Sequence, residues 1–459
     1  MPLSSVKSGI CLLGMVSLAA CAPHVQLSVA PAVLSADWDA ESTLAWPDEA
    51  TAPLDWAAFG SPQLDALLVR ARAANADVAI ASTRIRLASA DLRIVRAEAG
   101  PSLNALGRAE SNSRGGAGDN AFRDSYVTGE LDFSYTLDLS GQLKASRRAA
   151  FARYRASGHE ADAVKLTVEA AVASAYVEYA ALSDRIAIAD QNLAQSREFE
   201  RILSLREQAG VVSELDLSLQ TAQTNALLVG LSRLKESRSR VRNALAVLVG
   251  EEAPIFTLDP ASLSEFTAPR FAPLQPSALL IRRPDMLAAS ALIEAANGDV
   301  ARARAAFVPD LQISGGSFVD SVAGGGLLNP GFALASRFAA TIFDSGRLKG
   351  AVFRASAEQT QAVEQFRKAL LKALEDTQNA LAASHRTQER LRVLDQSRYL
   401  ATRSAALARQ RFLEGSDDFG AVLDAERRKL QVEDDLIVST QESLNAVIAL
   451  YAAVGGKPS

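Results

Sequence analysis

The chain has 459 residues, 48 basic and 53 acidic, for a formal net charge of −5. That slightly acidic balance argues against a general nucleic-acid binder, and the charges are scattered along helical stretches without basic arms or acidic tails. The only cysteines, Cys11 and Cys21, sit in or at the end of an N-terminal apolar segment, so the body of the chain has no disulfide framework.

The first element has the layout of a secretory leader: Lys7 in a short n-region, an apolar run from Ile10 to Ala20, then "LAAC" at 18–21. A cysteine after small residues at the cleavage point resembles a bacterial lipobox. Residues 1–20 are then the signal peptide, and Cys21 carries a covalent lipid as the first mature residue. The alternative is an ordinary signal peptide that ends near a cysteine. Ala22 follows Cys21 in place of Asp, which in bacterial lipoproteins implies sorting to the outer membrane. Beyond this segment no run of eighteen apolar residues occurs, so a membrane can be crossed only by strands.

After an extended segment at 21–60, the chain repeats itself. "NADVAIAS" at 75–82 and "GPSL" at 100–103 align with "RPDMLAAS" at 283–290 and "VPDL" at 308–311, at an offset of 208; "SGQLK" at 140–144 aligns with "SGRLK" at 345–349, at an offset of 205. The two copies are assigned to 61–250 and 277–455. A proline-rich crossover at 251–276 separates them, and a short tail covers 456–459.

Each copy has the same order. A helix (77–99; 285–307) stops before a proline, which cannot continue it. Two strands follow, about 102–114 and 125–139 in the first copy and 310–322 and 331–344 in the second, joined by glycine-rich tips such as "RGGAGDN" and "AGGGLLNP". Then come a very long helix (143–208; 347–413), a turn at "AGVVS" or "EGSDD", and a returning helix (214–249; 418–453). Val168, Val172, Ala175, Tyr179, Leu182, Ile186, Ala189 and Leu193 alternate spacings of four and three, as do Leu227, Leu231, Leu234, Arg238, Val241, Leu245 and Leu248, with Arg238 as the exception. This is a coiled-coil seam. At 1.5 Å per residue the longest helices reach roughly 100 Å.

The strands are two-faced. In "VTGELDFSYTLDL" at 127–139, Leu131, Phe133, Tyr135 and Leu137 alternate with Glu130, Asp132, Ser134 and Asp138; Leu311, Ile313 and Val319 form a similar row, as do Phe332, Leu334, Phe338 and Ile342. Leu106 falls on the polar side of the first strand. A lipid-facing barrel wall fits this pattern, with polar residues towards a lumen. Four strands cannot close a barrel, so it must be shared: a dimer gives eight strands and a trimer twelve.

"LLIRRPDMLAASALIEAANGDVARARAAFVPDLQISG" at 279–315, "WAAFGSPQLDALLVRARAANADVAIA" at 56–81, "LDLSGQLK" at 137–144 and "FDSGRLKG" at 343–350 resemble the TolC-like outer-membrane factors, in their NodT or OprM-like lipoprotein branch. Ser140 departs from the usual Trp of that pattern. The resemblance implies a mainly α fold with a small β part: two repeats of coiled-coil helices plus a hairpin, assembled as a homotrimeric twelve-stranded barrel on a periplasmic helical tunnel. It implies a passive exit duct of a tripartite pump, partnered by a periplasmic adaptor and an inner-membrane pump of the resistance-nodulation-division type, with no cofactor beyond the lipid on Cys21. The same architecture serves type I protein secretion, and a soluble periplasmic coiled-coil adaptor or scaffold remains the alternative from a different class.

By resemblance, a pore gate lies near the second turn, with Phe412, Asp424, Arg427 and Asp417 at the matching positions. Three symmetry copies of Asp424 around a narrow axis would repel one another and attract cations unless Arg427 compensates; an ordinary surface pair is the plainer alternative. The two turns, Gly210, Val211, Val212 and Ser213 and then Gly415, Ser416, Asp417 and Asp418, are the implied docking surface for the adaptor, although helix-ending glycines alone explain Gly210 and Gly415. Nothing points to an enzyme: His24, His159 and His385 are scattered, with no pair at metal-ligand spacing, and "GGG" at 324–326 lacks the Lys-Ser/Thr of a phosphate loop.

Overall fold

The computed structural model describes residues 38, 55–114, 122–269, 276–322 and 329–456. The leader, Cys21, most of the segment before residue 55, and much of both glycine-rich tips lie outside the described residues. Two compact units emerge, each taken by itself below. One holds Arg84–Gly158 and Ala288–Arg367; the other holds His159–Leu287 and Lys368–Ser459 with the described part of Val33–Thr83.

The elements run as α1 (Pro62–Ala74), α2 (Ala76–Glu98), β1 (Ser102–Arg114), β2 (Phe122–Leu137), α3 (Gln142–Gln208), α4 (Glu214–Leu248), α5 (Pro284–Ala305), β3 (Asp310–Val322), β4 (Asn329–Ala339), α6 (Arg347–Leu413) and α7 (Phe419–Ala453). The internal duplication is visible in lengths. Helices α3 and α6 both have 67 residues, and α4 and α7 both have 35.

In the first unit the four strands form one antiparallel sheet in the order β1-β2-β3-β4. Its register sorts side chains by face, because directly paired residues share a side. Leu103 pairs with Phe133 and Ala105 with Leu131; Tyr135 pairs with Ile313 and Leu137 with Leu311; Leu311 pairs with Phe338 and Gly315 with Leu334. All of these lie on one face, and among the described residues much of that face is exposed: Phe332 is 78% exposed, Leu334 70% and Leu103 68%. The other face carries the row pairs Asn104–Asp132 and Gln312–Arg337, with Leu106 and Phe318 among its apolar exceptions.

Two strands end earlier than their sequence pattern suggests. β2 stops at Leu137 because Asp138 turns away to cap the next helix, its carboxylate accepting the Leu143 and Lys144 N–H groups at 3.0 and 2.8 Å. β4 stops at Ala339, not 344, because that residue pairs with Asp310, the first residue of β3 after Pro309, which has no N–H to offer. Ile342 is therefore not part of the strand's apolar row and is 98% exposed. Asp344 repeats the cap on α6, accepting the Leu348 N–H at 2.9 Å. Ser140, the departure from the family pattern, uses its hydroxyl to accept the Gln142 N–H at 3.2 Å.

The second unit is a helical bundle. Val168, Val172, Tyr179, Leu182, Ile186 and Leu193 of the α3 seam are all buried, and Leu231 and Leu245 of α4 with them. The largest core cluster joins these helices to α7 and to the 3-10 turn Trp56–Phe59, where Trp56 packs 4.2 Å from Tyr451 and its Nε1–H donates to Glu169 at 2.6 Å. The crossover is not a free linker. Phe256 and Leu263 are buried, the Tyr179 hydroxyl donates to Leu258 O, and the Leu263 N–H donates to Asp184.

Both returning helices end in matching clasps. The Asn75 side-chain amide donates to Leu248 O, the last carbonyl of α4, at 2.8 Å; in the second copy Arg283 donates to Ala453 O, the last carbonyl of α7, at 2.9 Å. Gly250 and Gly455 follow with φ of 75° and 91°, and each lies where a Cβ would strike backbone, that of Ala74 or of Arg282. The "RRPD" motif is thus a structural fastener. Arg283 is 9% exposed and is held by Asp285 in a two-point contact at 3.0 and 2.8 Å, with Asp376 at 3.7 Å.

Candidate functional site: the helical turns

The two turns at the ends of α3 and α6 are built alike. Each closes as a Schellman motif: Val211 N–H bonds to Arg206 O and Gly210 N–H to Glu207 O, while Ser416 N–H bonds to Arg411 O and Gly415 N–H to Phe412 O. The motif demands a left-handed residue, and Gly210 and Gly415 supply φ of 70° and 77°. The next helix then starts on a cap. Ser213 forms a capping box with Asp216, its Oγ accepting the Asp216 N–H at 3.2 Å, and Asp418 accepts the Ala421 N–H at 2.9 Å. Asp417 accepts the Asp418 N–H at 3.1 Å and stays exposed. Ser213 and Asp418 therefore have a full structural role at the places assigned to docking, while the side chain of Val211 is 66% exposed.

Behind the turns sits an aromatic knot. Phe199 of α3, Phe412 of α6 and Phe419 of α7 pack with ring centroids 5.4 to 6.3 Å apart, joined by Leu203, Val422 and Leu423, with Val212 against them. Phe412, expected at the gate, is 9% exposed and its ring packs in this core. Its position on α6 follows from the seam, because a side chain facing α3 and α7 cannot also face outward. Arg409 lies over the Phe199 ring at 4.6 Å and bonds Glu426 at 2.9 Å, and Arg206 donates to Leu413 O at 3.2 Å. These cross-links escaped sequence reasoning; the one available signal was that Arg409 and Glu426 flank the turn at nearly equal distances, as partners in an antiparallel hairpin must.

Above the knot, polar side chains tie the helices. Gln220 donates to Ser196 Oγ at 2.8 Å, Thr221 donates to Glu200 at 2.7 Å, Asn192 bridges Lys429 and Glu433 at 3.1 Å each, and Arg185 grips Asp434 at 2.6 and 3.0 Å. Asp424 and Arg427 stand apart from all of this. Both are exposed, and among the described residues neither makes a side-chain hydrogen bond or ion pair. They do not neutralise each other across the helical turn. Arg427 borders an open groove of about 630 Å³, with Arg185, Arg233, Gln431 and Asp434 on its walls.

The outer membrane efflux protein family model matches two segments of the chain, residues 67–251 and 275–456, one on each structural repeat. The chain is 31% identical to the pyoverdine export outer membrane protein OpmQ of Pseudomonas putida, covering 97% of each sequence. It is 30% identical to the outer membrane protein OprJ of Pseudomonas aeruginosa, over 88% of this chain and 86% of that one. Among solved structures, the outer-membrane channel OprN superposes with a TM-score of 0.85 at 25% identity, over 95% of this chain and 98% of that one. The open state of the Neisseria gonorrhoeae MtrE outer membrane channel gives a TM-score of 0.82, also at 25% identity, over 95% of this chain and 98% of that one. An exposed apolar sheet face, two equal helical hairpins and these likenesses meet in one conclusion: the chain belongs to the outer membrane efflux protein family.

Proposed function

We propose that this chain is the outer-membrane exit duct of a tripartite efflux pump, working as a homotrimer whose three sheets close one twelve-stranded barrel. The observation that carries the reading is the sheet itself. Among the described residues it has an exposed apolar face and two outer strands, β1 and β4, without a partner strand. Such edges are not tolerated in lipid, and pairing β4 of one copy with β1 of the next removes them all.

The helices then form the periplasmic tunnel, and Cys21 bears the lipid anchor. A periplasmic adaptor docks at the turns 210–213 and 415–418, and a resistance-nodulation-division pump in the inner membrane supplies the energy. Val211 and Asp417 are docking positions whose side chains are exposed. The gate lies near the second turn, at Phe412, Asp424, Arg427 and Asp417. The exposure of Asp424 and Arg427, without partners among the described residues, supports it: a threefold set of free carboxylates and guanidinia can make contacts between copies that one chain lacks. The cargo is a small molecule of the kind named for the relatives, which include exporters of pyoverdine, antibiotics and toluene.

The test is reconstitution of the full-length protein in planar bilayers. Heat-modifiable trimers that conduct, with Asp424→Ala raising conductance and lowering cation preference, are the expected result. A monomer that stays soluble without detergent once Cys21 is replaced would overturn the duct. Unchanged conductance and selectivity in Asp424→Ala would remove the gate alone.

A further inference from the structure

The first four turns of α3, residues 142–155, carry five basic residues and no acidic one, in a chain whose net charge is −5. Two of the five are engaged, Arg153 with Asp299 and Arg155 with Glu294 at 3.1 Å. Lys144, Arg147 and Arg148 are exposed, and among the described residues their side chains have no partner. Spacings of three and four put them on one side of the helix with Phe151, which is 43% exposed, and Tyr154, whose ring lies 6.4 Å from that of Phe151. The opposite side, Ala145, Ala149, Ala152 and Ala156, is buried. The matching stretch of α6 is different: position 352 is a buried Val, 353 a Phe, and only Lys349 repeats the charge.

This face begins where the sheet ends. Four residues separate the last residue of β2 from the first of α3. With a rise of about 1.5 Å per residue, Lys144 lies roughly 3 Å and Arg148 roughly 9 Å along the helix from its start. All three cations thus lie within the first two turns of the helix that follows the sheet. If the sheet spans the outer membrane, as proposed above, that end is the level of the periplasmic-leaflet headgroups. Aromatic rings beside unpaired cations at that level match the chemistry of an interfacial anchor.

We infer that the face formed by Lys144, Arg147, Arg148, Phe151 and Tyr154 binds anionic phospholipid of the periplasmic leaflet, with phosphate on the cations and the glycerol region against the rings. The inference rests on the exit-duct reading, and the occupant follows from charge complementarity and from the four-residue connection that joins this helix to the sheet. The three cations fix the duct's height in the membrane and draw acidic lipid around one side of each copy. Each cation contributes about fivefold to local enrichment.

The test uses the full-length trimer in nanodiscs made from equal parts of phosphatidylethanolamine and phosphatidylglycerol, with the lipid retained in the discs quantified. The wild type is expected to enrich phosphatidylglycerol. The triple variant Lys144→Ser, Arg147→Ser, Arg148→Ser is expected to lose that enrichment, and the charge-preserving variant Lys144→Arg, Arg147→Lys, Arg148→Lys to keep it. Reversal potentials in a salt gradient are expected to be the same for all three. Equal enrichment in the Ser variant, or none in a wild type that forms conducting trimers, overturns the inference and leaves the duct standing. A shift of the Ser variant towards cation selectivity would place the face in the conduit, and loss of its trimers would place it between copies; either result overturns lipid binding. A wild type that forms no trimers and no channels would instead refute the duct.

Discussion

The two repeats fasten their returning helices in the same place with different chemistry. In the first, Asn75, a neutral amide, reaches the last carbonyl of α4; in the second, Arg283, a buried guanidinium, reaches the last carbonyl of α7. The amide needs no counter-charge. The guanidinium brings a charge into a site that is 9% exposed, and Asp285 and Asp376 must compensate it. One backbone geometry thus accepts two solutions, and the charged one makes the second repeat depend on residues the first can do without.

The largest loss is expected at the glycines that let the clasps close. Gly250→Val places a Cβ against the Ala74 carbonyl at a positive φ, and because the obstacle is backbone, about 4 kcal/mol or more is expected, read as loss of folded trimers. Next comes Asp285→Ala, which leaves Arg283 under-compensated. Its cost is about 3 kcal/mol, reduced from the fully buried case because the Asp285 side chain is 40% exposed, and is measured as a lowered thermal midpoint. Asn75→Ala removes one partly buried hydrogen bond and its N-terminal contacts with Asp77 and Val78, for about 1 to 2 kcal/mol. If Asn75→Ala proved as damaging as Asp285→Ala, the contrast between neutral and charged clasps would fail. The turns sharpen it further: Ser213→Ala and Asp418→Ala each remove one cap and are expected to cost about 1 kcal/mol, equally in the two repeats.

The smallest effect is alkaline. Burial raises the Tyr176 pKa above its ordinary value of 10.0, so the folded state holds that proton more tightly than the unfolded chain. Its contribution is fully present below about pH 10 and declines as pH climbs through the unfolded and then the folded pKa. Tyr176→Phe should flatten that decline in a pH series of thermal midpoints.

Much of the fold was legible because its signals are periodic. The Val168 to Leu193 seam shows in spacing alone, and the span of α6, Arg347–Leu413, is the one its sequence suggests. Strand ends were less so: Asp138 and Asp344 leave the strand pattern to cap helices, which is a contact and not a periodicity. The site was half legible. Glycine positions fixed both turns, but the family position of Phe412 said nothing of the Phe199 and Phe419 rings that enclose it, and the latter lies on another helix. Asn75 and Arg283 share no chemistry, and the carbonyl each holds is more than 160 residues away, with separations of 173 and 170. The repeat alignment pairs Asn75 with Arg283, but no local pattern announces the distant carbonyls they hold.

The equal helix lengths limit how such a protein can change. With 67 residues in both α3 and α6 and 35 in both α4 and α7, each hairpin reaches its turn after the same number of steps. A deletion or insertion in one repeat alone would leave its turn short of, or beyond, its counterpart by about 1.5 Å per residue. A duct of another length is therefore reached by paired edits of seven residues, one in each strand of both hairpins, so that four segments of the gene must evolve in step.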